Sequence, residues 1–181
     1  MPDFDDLLWP NGTDNIGGTQ VNHYYAPLSH FSVLPVPPEP ATTLSEIVTI
    51  SDNVVFYTGK KFLQIYSTID TGRVLDKLVG ELDGKSFEHT FEWFFPGTLD
   101  KALALITKFA NSNMIFIATE ADGKKRMIGS TKFPAKLSMS DVDTGAKTSD
   151  RKGIKMKVES RGITPAPIYT GTIPLTPAIP D

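Results

Sequence analysis

Residues 87–95 read Phe87-Glu88-His89-Thr90-Phe91-Glu92-Trp93-Phe94-Phe95 and carry the clearest secondary-structure signal in the chain. Positions 87, 91, 93 and 95 are aromatic, whereas positions 88, 90 and 92 are polar. An alternation with a period of two residues is typical of a β-strand that buries one face and exposes the other. Pro96-Gly97 follows directly and predicts the end of the strand.

Further strands are predicted on both sides of this one, because short segments rich in β-branched and aromatic residues alternate with turn residues. Residues 114–118 are apolar throughout, which predicts a strand covered on both faces. Asp83-Gly84 and Asp122-Gly123 predict tight turns. The other predicted strands lie around Tyr24-Tyr25, within residues 46–57 (two short strands), and at 61–68, 74–82, 126–137 and 154–159.

One amphipathic helix is predicted over about residues 98–111. Its apolar side chains recur every three or four positions and form one stripe, namely Leu99, Ala102, Leu103, Ile106, Phe109 and Ala110. Thr98 is a suitable N-cap, and Asn111 or Asn113 is suited to a left-handed C-terminal cap. The predicted fold is therefore mainly β: a β-sandwich or barrel of about eight strands with one flanking α-helix and extended Pro-rich arms.

The positions of Gly and Pro predict that the chain is organised into three segments. Residues 1–20 are expected to form an irregular N-terminal arm, and residues 21–171 a single β-rich domain. Within that domain we expect a stiff Pro-rich connector at 34–46 and a long polar loop at 138–153. Residues 172–181 are expected to form a Pro-rich C-terminal tail.

The composition of the chain argues against several classes of function. The chain has 181 residues, a net charge of −3 and no Cys, which excludes disulfides and thiolate chemistry. No apolar run is long enough for a membrane-spanning helix, and the acidic start does not resemble a signal peptide, so we expect synthesis in a cytoplasm. A slightly acidic chain is not expected to bind nucleic acid through a basic face.

Two segments resemble ligand-binding motifs, but the spacing of their residues does not match those motifs. Residues 80–86 end in Gly-Lys-Ser but have too few residues between the glycines for a phosphate loop, and residues 141–152 lack the Gly and Glu of a calcium loop. His89 lies on the aromatic face of its strand and is expected to be a hydrogen-bonded core residue. Glu88 and Glu92 are expected to be solvated, and the sequon at Asn11 has no meaning without secretion. We therefore expect no enzyme, and no catalytic, cofactor-binding or metal-binding residues.

The extended segments point to assembly with other copies. Ordering such segments costs about 1–2 kcal/mol per residue in backbone entropy, which contacts with a neighbouring subunit offset. The alternative is that the arms are disordered. We expect the connector, the 138–153 loop and both tails to make contacts between subunits, and either the 154–159 strand or the 114–136 hairpin to contribute to a shared sheet.

The order of motifs over about residues 75–171 resembles that of major tail (tail tube) proteins of long-tailed bacteriophages. The quoted segments are 78–87 (Leu-Val-Gly-Glu-Leu-Asp-Gly-Lys-Ser-Phe), Phe95-Pro96-Gly97 before the helix, 114–117 (Met-Ile-Phe-Ile), 127–130 (Met-Ile-Gly-Ser), 143–145 (Asp-Thr-Gly), 150–153 (Asp-Arg-Lys-Gly) and 165–169 (Pro-Ala-Pro-Ile-Tyr). The resemblance implies a virion structural protein, made in the host cytoplasm, that forms stacked rings, usually hexameric. Its partners would be further copies of itself and other phage tail proteins, with DNA as transient cargo in the lumen.

Two alternatives stay open at this point. A head–tail joining or tail terminator protein would form one ring and never stack. A β-sandwich that binds a small ligand or carbohydrate would be monomeric and would use aromatic residues such as Trp93, Tyr24 or Tyr57.

Overall fold

A computed structural model describes residues 1–178. It contains one α-helix, α1 (Asp100–Phe109), and two 3-10 turns, Leu28–His30 and Ser45–Val48. The strands are β1 (Asn22–Pro27), β2 (Phe31–Val33), β3 (Thr49–Ile50), β4 (Val55–Phe56), β5 (Leu63–Tyr66), β6 (Arg73–Val79), β7 (Ser86–Pro96), β8 (Met114–Thr119), β9 (Lys125–Ile128), β10 (Lys136–Asp143), β11 (Gly153–Gly162) and β12 (Ile168–Tyr169). With 38% strand and 10% helical residues, the fold is mainly β with a single α-helix, as the sequence predicts.

The strands form two larger sheets and one small ribbon. The six-stranded sheet has the order β3-β12-β9-β8-β1-β5, and the four-stranded sheet has the order β10-β11-β7-β6. Strands β2 and β4 make the ribbon. All neighbouring strands are antiparallel except β12 and β3.

The six-stranded sheet has an apolar core on each of its faces. On one face Phe116 packs with Phe91 and Trp93 of the four-stranded sheet. On the other face Ile115 and Ile117 belong to a second core with residues of the ribbon. Every residue of β8 is buried, so the prediction of a strand covered on both faces is confirmed.

Strand β7 follows the predicted alternation with one difference. His89, Phe91 and Trp93 are buried on its inner face, as predicted. Thr90 and Phe94, on the outer face, are buried as well. The Arg151 guanidinium covers the Phe94 ring at 4.0 Å from its centroid, so long side chains shield part of a face that the sequence suggested was solvated.

The helix forms where it is expected, but its caps differ from the prediction. Leu99, not Thr98, is the N-cap, because its extended backbone lets its carbonyl accept from the N–H groups of Ala102 and Leu103 at 2.9 and 3.0 Å. At the other end neither Asn111 nor Asn113 has a positive φ. Ser112 takes the place of a left-handed cap by donating its hydroxyl to the Lys108 carbonyl at 2.6 Å.

Two further expectations about strand boundaries were wrong. The 126–137 strand is broken at Gly129, whose φ of 103° turns the chain between β9 and β10. A polar loop was expected at 138–153, but its first part belongs to strand β10. This strand pairs with β11 from Lys136 to Asp143. This strand has few apolar residues because it lies at a sheet edge, where solvent covers most of its side chains. The loop itself spans only residues 144–152.

The two ends of the chain behave differently. The C-terminal tail lies against the domain. The Phe62 N–H donates to the Pro174 carbonyl at 3.0 Å, and the Gly59 N–H donates to the Ala178 carbonyl at 2.8 Å. The described part of this tail, residues 172–178, therefore packs on its own domain, and residues 179–181 lie outside the described chain. In the N-terminal arm the contacts with the domain begin at Gly18 and Thr19.

Candidate assembly surfaces

The four-stranded sheet has two long edges that no described strand covers. Strand β6 forms one edge and β10 the other, with seven and eight residues. A long edge presents unpaired backbone N–H and C=O groups, which is a template for pairing with another strand. These two strands are therefore the best candidates for contacts between subunits.

The strands that the sequence suggested for a shared sheet do not have this property. The 154–159 segment lies within β11, between β10 and β7, so both of its sides are already paired. In the 114–136 hairpin, β8 and β9 also have a strand on each side. Their backbone groups are used within the subunit, so neither can pair directly with a strand of a neighbour, and the expectation that one of them contributes to a shared sheet stays a prediction.

Both edges also expose apolar side chains. On β6 the exposed fractions of Leu75 and Leu78 are 45% and 55%, and on β10 that of Val142 is 49%. An exposed apolar residue on a long edge strand favours association over solvation. Among the charged residues of β6, Asp76 is turned inward and is bound to Arg126.

The outer face of the four-stranded sheet is charged and nearly balanced in sign. Opposite charges face each other across neighbouring strands, for example Arg73 and Glu92, whose side chains are 3.2 Å apart. Register also places Arg161 opposite Glu88 and Asp141 opposite Lys155. The alternating signs leave no broad basic surface that would hold a phosphate backbone.

A groove of about 530 Å³ lies at the Arg73 end of this outer face. Its charged lining residues are Asp70, Arg73, Glu92, Arg151 and Lys155. Arg73 is paired with Glu92, but Arg151 and Lys155 have no carboxylate within 4.0 Å among the described residues. We call this feature the cationic groove, because its lining has three cations and two carboxylates, and Arg151 and Lys155 make no ion pair within 4.0 Å among the described residues.

The first nine residues of the N-terminal arm carry exposed apolar side chains next to acidic ones. Phe4 and Leu7 are fully exposed, and Trp9 is 65% exposed. Asp3, Asp5 and Asp6 lie between or beside them. Exposed aromatic and aliphatic groups at this density are typical of a segment that packs against a partner.

The histidines and paired acids have structural roles in this arrangement. His89 is buried, and its Nε2–H donates to the Thr164 carbonyl at 2.8 Å, in agreement with the prediction of a core histidine. Glu92 accepts from Arg73 on the outer face, so it is an ion-pair residue. Burial lowers the pKa of His23 to about 4, which keeps its ring neutral at physiological pH.

The glycine-rich and acidic motifs are turns that satisfy their own backbone. In residues 80–86 the Lys85 ammonium donates to the Gly80 carbonyl at 2.6 Å, and the segment connects β6 to β7 as a hairpin turn. In the 144–152 loop the Asp150 carboxylate accepts the N–H groups of Ala146 and Lys147 at 3.0 and 2.8 Å. No group of three or more His, Asp or Glu side chains in residues 1–178 is arranged to hold a metal ion.

The aromatic residues named for a carbohydrate site are not assembled on one surface. Trp93 is in the first core, where its ring stacks on Phe91 with centroids 4.7 Å apart. Tyr24 packs against the second core, and only Tyr57 is largely exposed. A buried indole is not accessible to stack on a sugar, which removes one of the three residues named for that alternative.

Sequence reasoning missed one cluster that joins the two larger sheets. Arg126 of β9 binds Asp76 of β6 and Glu120, the second at 2.9 Å, and its Nε–H donates to the Ala166 carbonyl at 2.7 Å. Asp76 also accepts the Ala166 N–H at 3.1 Å. Three of these hydrogen bonds join residues that are 40 or more positions apart in the sequence. No local sequence pattern could therefore have predicted the cluster.

Comparison of the chain with protein-family models, with curated proteins and with solved structures found no match. Within residues 1–178, the helix content includes nothing long and apolar enough to cross a membrane.

Proposed function

We propose that this chain is a virion structural protein, a tail tube subunit that assembles into stacked rings around a conduit for a phage genome. The single observation that carries the proposal is the four-stranded sheet with two long open edges, β6 and β10, on opposite sides. A subunit with two different edges pairs head to tail with its copies, and such a heterologous contact repeats until a ring closes.

The chemistry of the outer face supports the same arrangement. If the four-stranded sheets of neighbours join edge to edge, their outer faces form one continuous surface of alternating charges such as Arg73, Glu92 and Lys157. A surface with nearly equal numbers of cations and anions does not hold DNA by counterion release. This surface suits a lumen through which DNA passes without binding.

The cost of leaving the edges open argues for a partner as well. Unpaired edges with exposed Leu75, Leu78 and Val142 invite uncontrolled association unless a defined neighbour covers them. Neither edge strand contains a proline, and the features that limit edge pairing are Lys77 on β6 and, on β10, Lys136 with the bulge between Leu137 and Met139. Ring closure would cover both edges in every copy.

Negative-stain electron microscopy of the purified full chain tests the proposal. We expect rings, and tubes of variable length at high protein concentration. Rings that never stack would favour a head–tail joining or tail terminator protein. A strictly monomeric chain in sedimentation velocity at high concentration would contradict the proposal and favour a monomeric binding module.

A further inference from the structure

We propose that residues 1–9 of one copy bind in the cationic groove of a second copy. The inference extends the proposed function by naming the surface that receives the N-terminal arm. It requires only that copies of the chain associate, and not that they form a ring or a tube.

Charge complementarity is the first argument. Arg151 and Lys155 lie in the groove without an ion-pair partner among the described residues. The arm provides Asp3, Asp5 and Asp6 within four positions. Opposite charges on a groove and on an extended segment steer their encounter and fix the register of binding.

Apolar complementarity is the second argument. In the groove the Phe94 ring lies under the Arg151 guanidinium, which places an aromatic face beside a cation. In the arm Phe4 lies between Asp3 and Asp5 and is fully exposed. An acidic segment with a central aromatic residue therefore matches a groove that offers an exposed guanidinium, on which an aromatic ring can stack.

The exposure of the arm indicates a second copy as the partner. Phe4, Leu7 and Leu8 are almost completely exposed, so the arm does not bury these side chains on its own domain. The contacts of the arm with its own domain begin at Gly18, which also lines the groove. The arm thus leaves the subunit at the rim of its own groove, so two associated copies that exchanged their arms would each fill the groove of the other.

A charge-swap experiment tests the inference in the full chain. The arm variant carries Asp3→Lys, Asp5→Lys and Asp6→Lys, and the groove variant carries Arg151→Glu and Lys155→Glu. Lys101→Glu with Lys108→Glu, on the exposed face of α1, is the matched control. All variants are first compared with the parent by circular dichroism and thermal unfolding, so that a folding defect is recognised.

Two readouts separate binding of the arm from assembly in general. Trp9 is 65% exposed and Trp93 only 1%, so acrylamide quenching of fluorescence reports on Trp9. Sedimentation velocity reports on association. We expect parent and control to protect Trp9 increasingly as protein concentration rises, and each swap variant alone to need about tenfold more protein for the same protection.

Mixing the two swap variants gives the decisive outcome. Lysine arms then meet glutamate grooves, and aspartate arms meet native grooves, so protection of Trp9 returns only if the arm binds to another copy. Rescue within one chain that carries both sets of substitutions, without rescue in the mixture, would show binding to its own groove and overturn the inference. Rings with unprotected Trp9 would overturn it while leaving the proposed function intact, whereas concentration-dependent protection without rings would do the reverse.

Discussion

Two histidines, His23 and His89, are buried in the described chain, and burial keeps the ring of His23 neutral at physiological pH. The Nδ1 atom of His23 accepts the Thr119 N–H at 3.1 Å, and its other nitrogen lies 3.4 Å from the Thr19 hydroxyl. The ring packs edge-on against Phe91 at 4.8 Å between centroids. A proton on Nδ1 would remove the acceptor and place a charge in the core, so His23 ties folding to pH.

Acid is expected to destabilise the protein through His23. Desolvation lowers its pKa to about 4 in the folded chain, from 6.5. Above pH 6.5 the ring is neutral in both states, and as pH falls toward 4 the unfolded state binds the proton first, so stability decreases. The free energy of unfolding should fall by about 2 kcal/mol between pH 7 and pH 5 through this residue, as measured by urea denaturation.

The His23→Gln variant supplies the comparison. Its stability should depend less steeply on pH than that of the parent, whereas His30→Gln, a change at a more exposed ring, should keep most of the dependence. Parallel stability curves for the parent and His23→Gln would show that another group is responsible.

Arg126 is expected to be the most costly single charge to remove. It is mostly buried, and its loss leaves the carboxylates of Asp76 and Glu120 without their partner. Breaking a buried ion pair on one side costs about 3–5 kcal/mol, so Arg126→Met should lower the free energy of unfolding by about 3 kcal/mol. Lys124→Met, in an exposed pair with Asp122, is the control and should unfold at the same urea concentration as the parent. Equal losses in both variants would contradict the assigned role of the cluster.

At the scale of elements, the sequence predicts the central strands and the edge strand β6, but it misses the edge strand β10. Strands β7, β8 and β11 are central in their sheets, so burial imposes an alternating or continuous apolar pattern on them. Strand β10 has a neighbour on one side only, and its small polar residues carry no periodic signal. The helix caps were missed because the choice between Thr98 and Leu99 depends on backbone angles that the stripe of apolar residues does not determine.

The same reasoning explains why the candidate site could be predicted only in part. The core role of His89 follows from its position in a strongly patterned strand. The open edges and the cationic groove depend on which strand ends up outermost and on the contact between Arg151 and Phe94, which are 57 positions apart in sequence numbering. Long-range pairing of this kind leaves no local trace.

Gly129, in the turn between β9 and β10, gives a prediction about the stability of the fold. A Cβ atom on Gly129 would lie 2.8 Å from the Met114 carbonyl oxygen and 2.9 Å from the Ala135 nitrogen, in addition to the strain of a φ of 103°. Gly129→Ala should therefore cost about 2 kcal/mol or more in unfolding free energy. Gly123→Ala is the control, because its φ is also positive but no atom lies closer than 4.0 Å. Equal costs at the two positions would mean that backbone strain alone explains the effect.

The edges themselves give a prediction about assembly. Leu75→Lys on β6 and Val142→Lys on β10 place a charge on strands that the proposal pairs with a neighbour, and inward-turned or edge lysines oppose strand pairing. Each change should abolish rings and leave a folded monomer in sedimentation velocity. Leu82→Lys, in the turn after β6, is exposed to a greater extent than either residue and should leave assembly unchanged. Assembly that persists in both edge variants would exclude these edges from the contact.

At the scale of the whole molecule, the C-terminal tail is packed on the domain, whereas two sheet edges and the N-terminal arm are uncovered. The described C-terminal tail covers the second core through its bonds to Lys60 and Phe62. The four-stranded sheet, by contrast, has uncovered edges, and residues 1–9 of the arm leave their apolar side chains in solvent. The expectation that both tails make contacts between subunits stays a prediction, and the proposed assembly depends on the β6 and β10 edges and the N-terminal arm.

Disulfide cross-linking tests the central claim, that β6 of one copy pairs with β10 of the next, most directly. The chain contains no Cys, so a substitution at each edge introduces the only thiols, for example Leu75→Cys or Leu78→Cys with Met139→Cys or Val142→Cys. Two strands separate β6 from β10 in one subunit, roughly 14 Å at the usual strand spacing, which is too far for a disulfide within one chain.

After mild oxidation, at least one pair of substitutions should give a ladder of covalent oligomers beyond the dimer on a non-reducing gel, while the single-Cys variants should stop at dimers. If every double variant yields only monomers and dimers, the edges do not meet in the assembly and the account is contradicted.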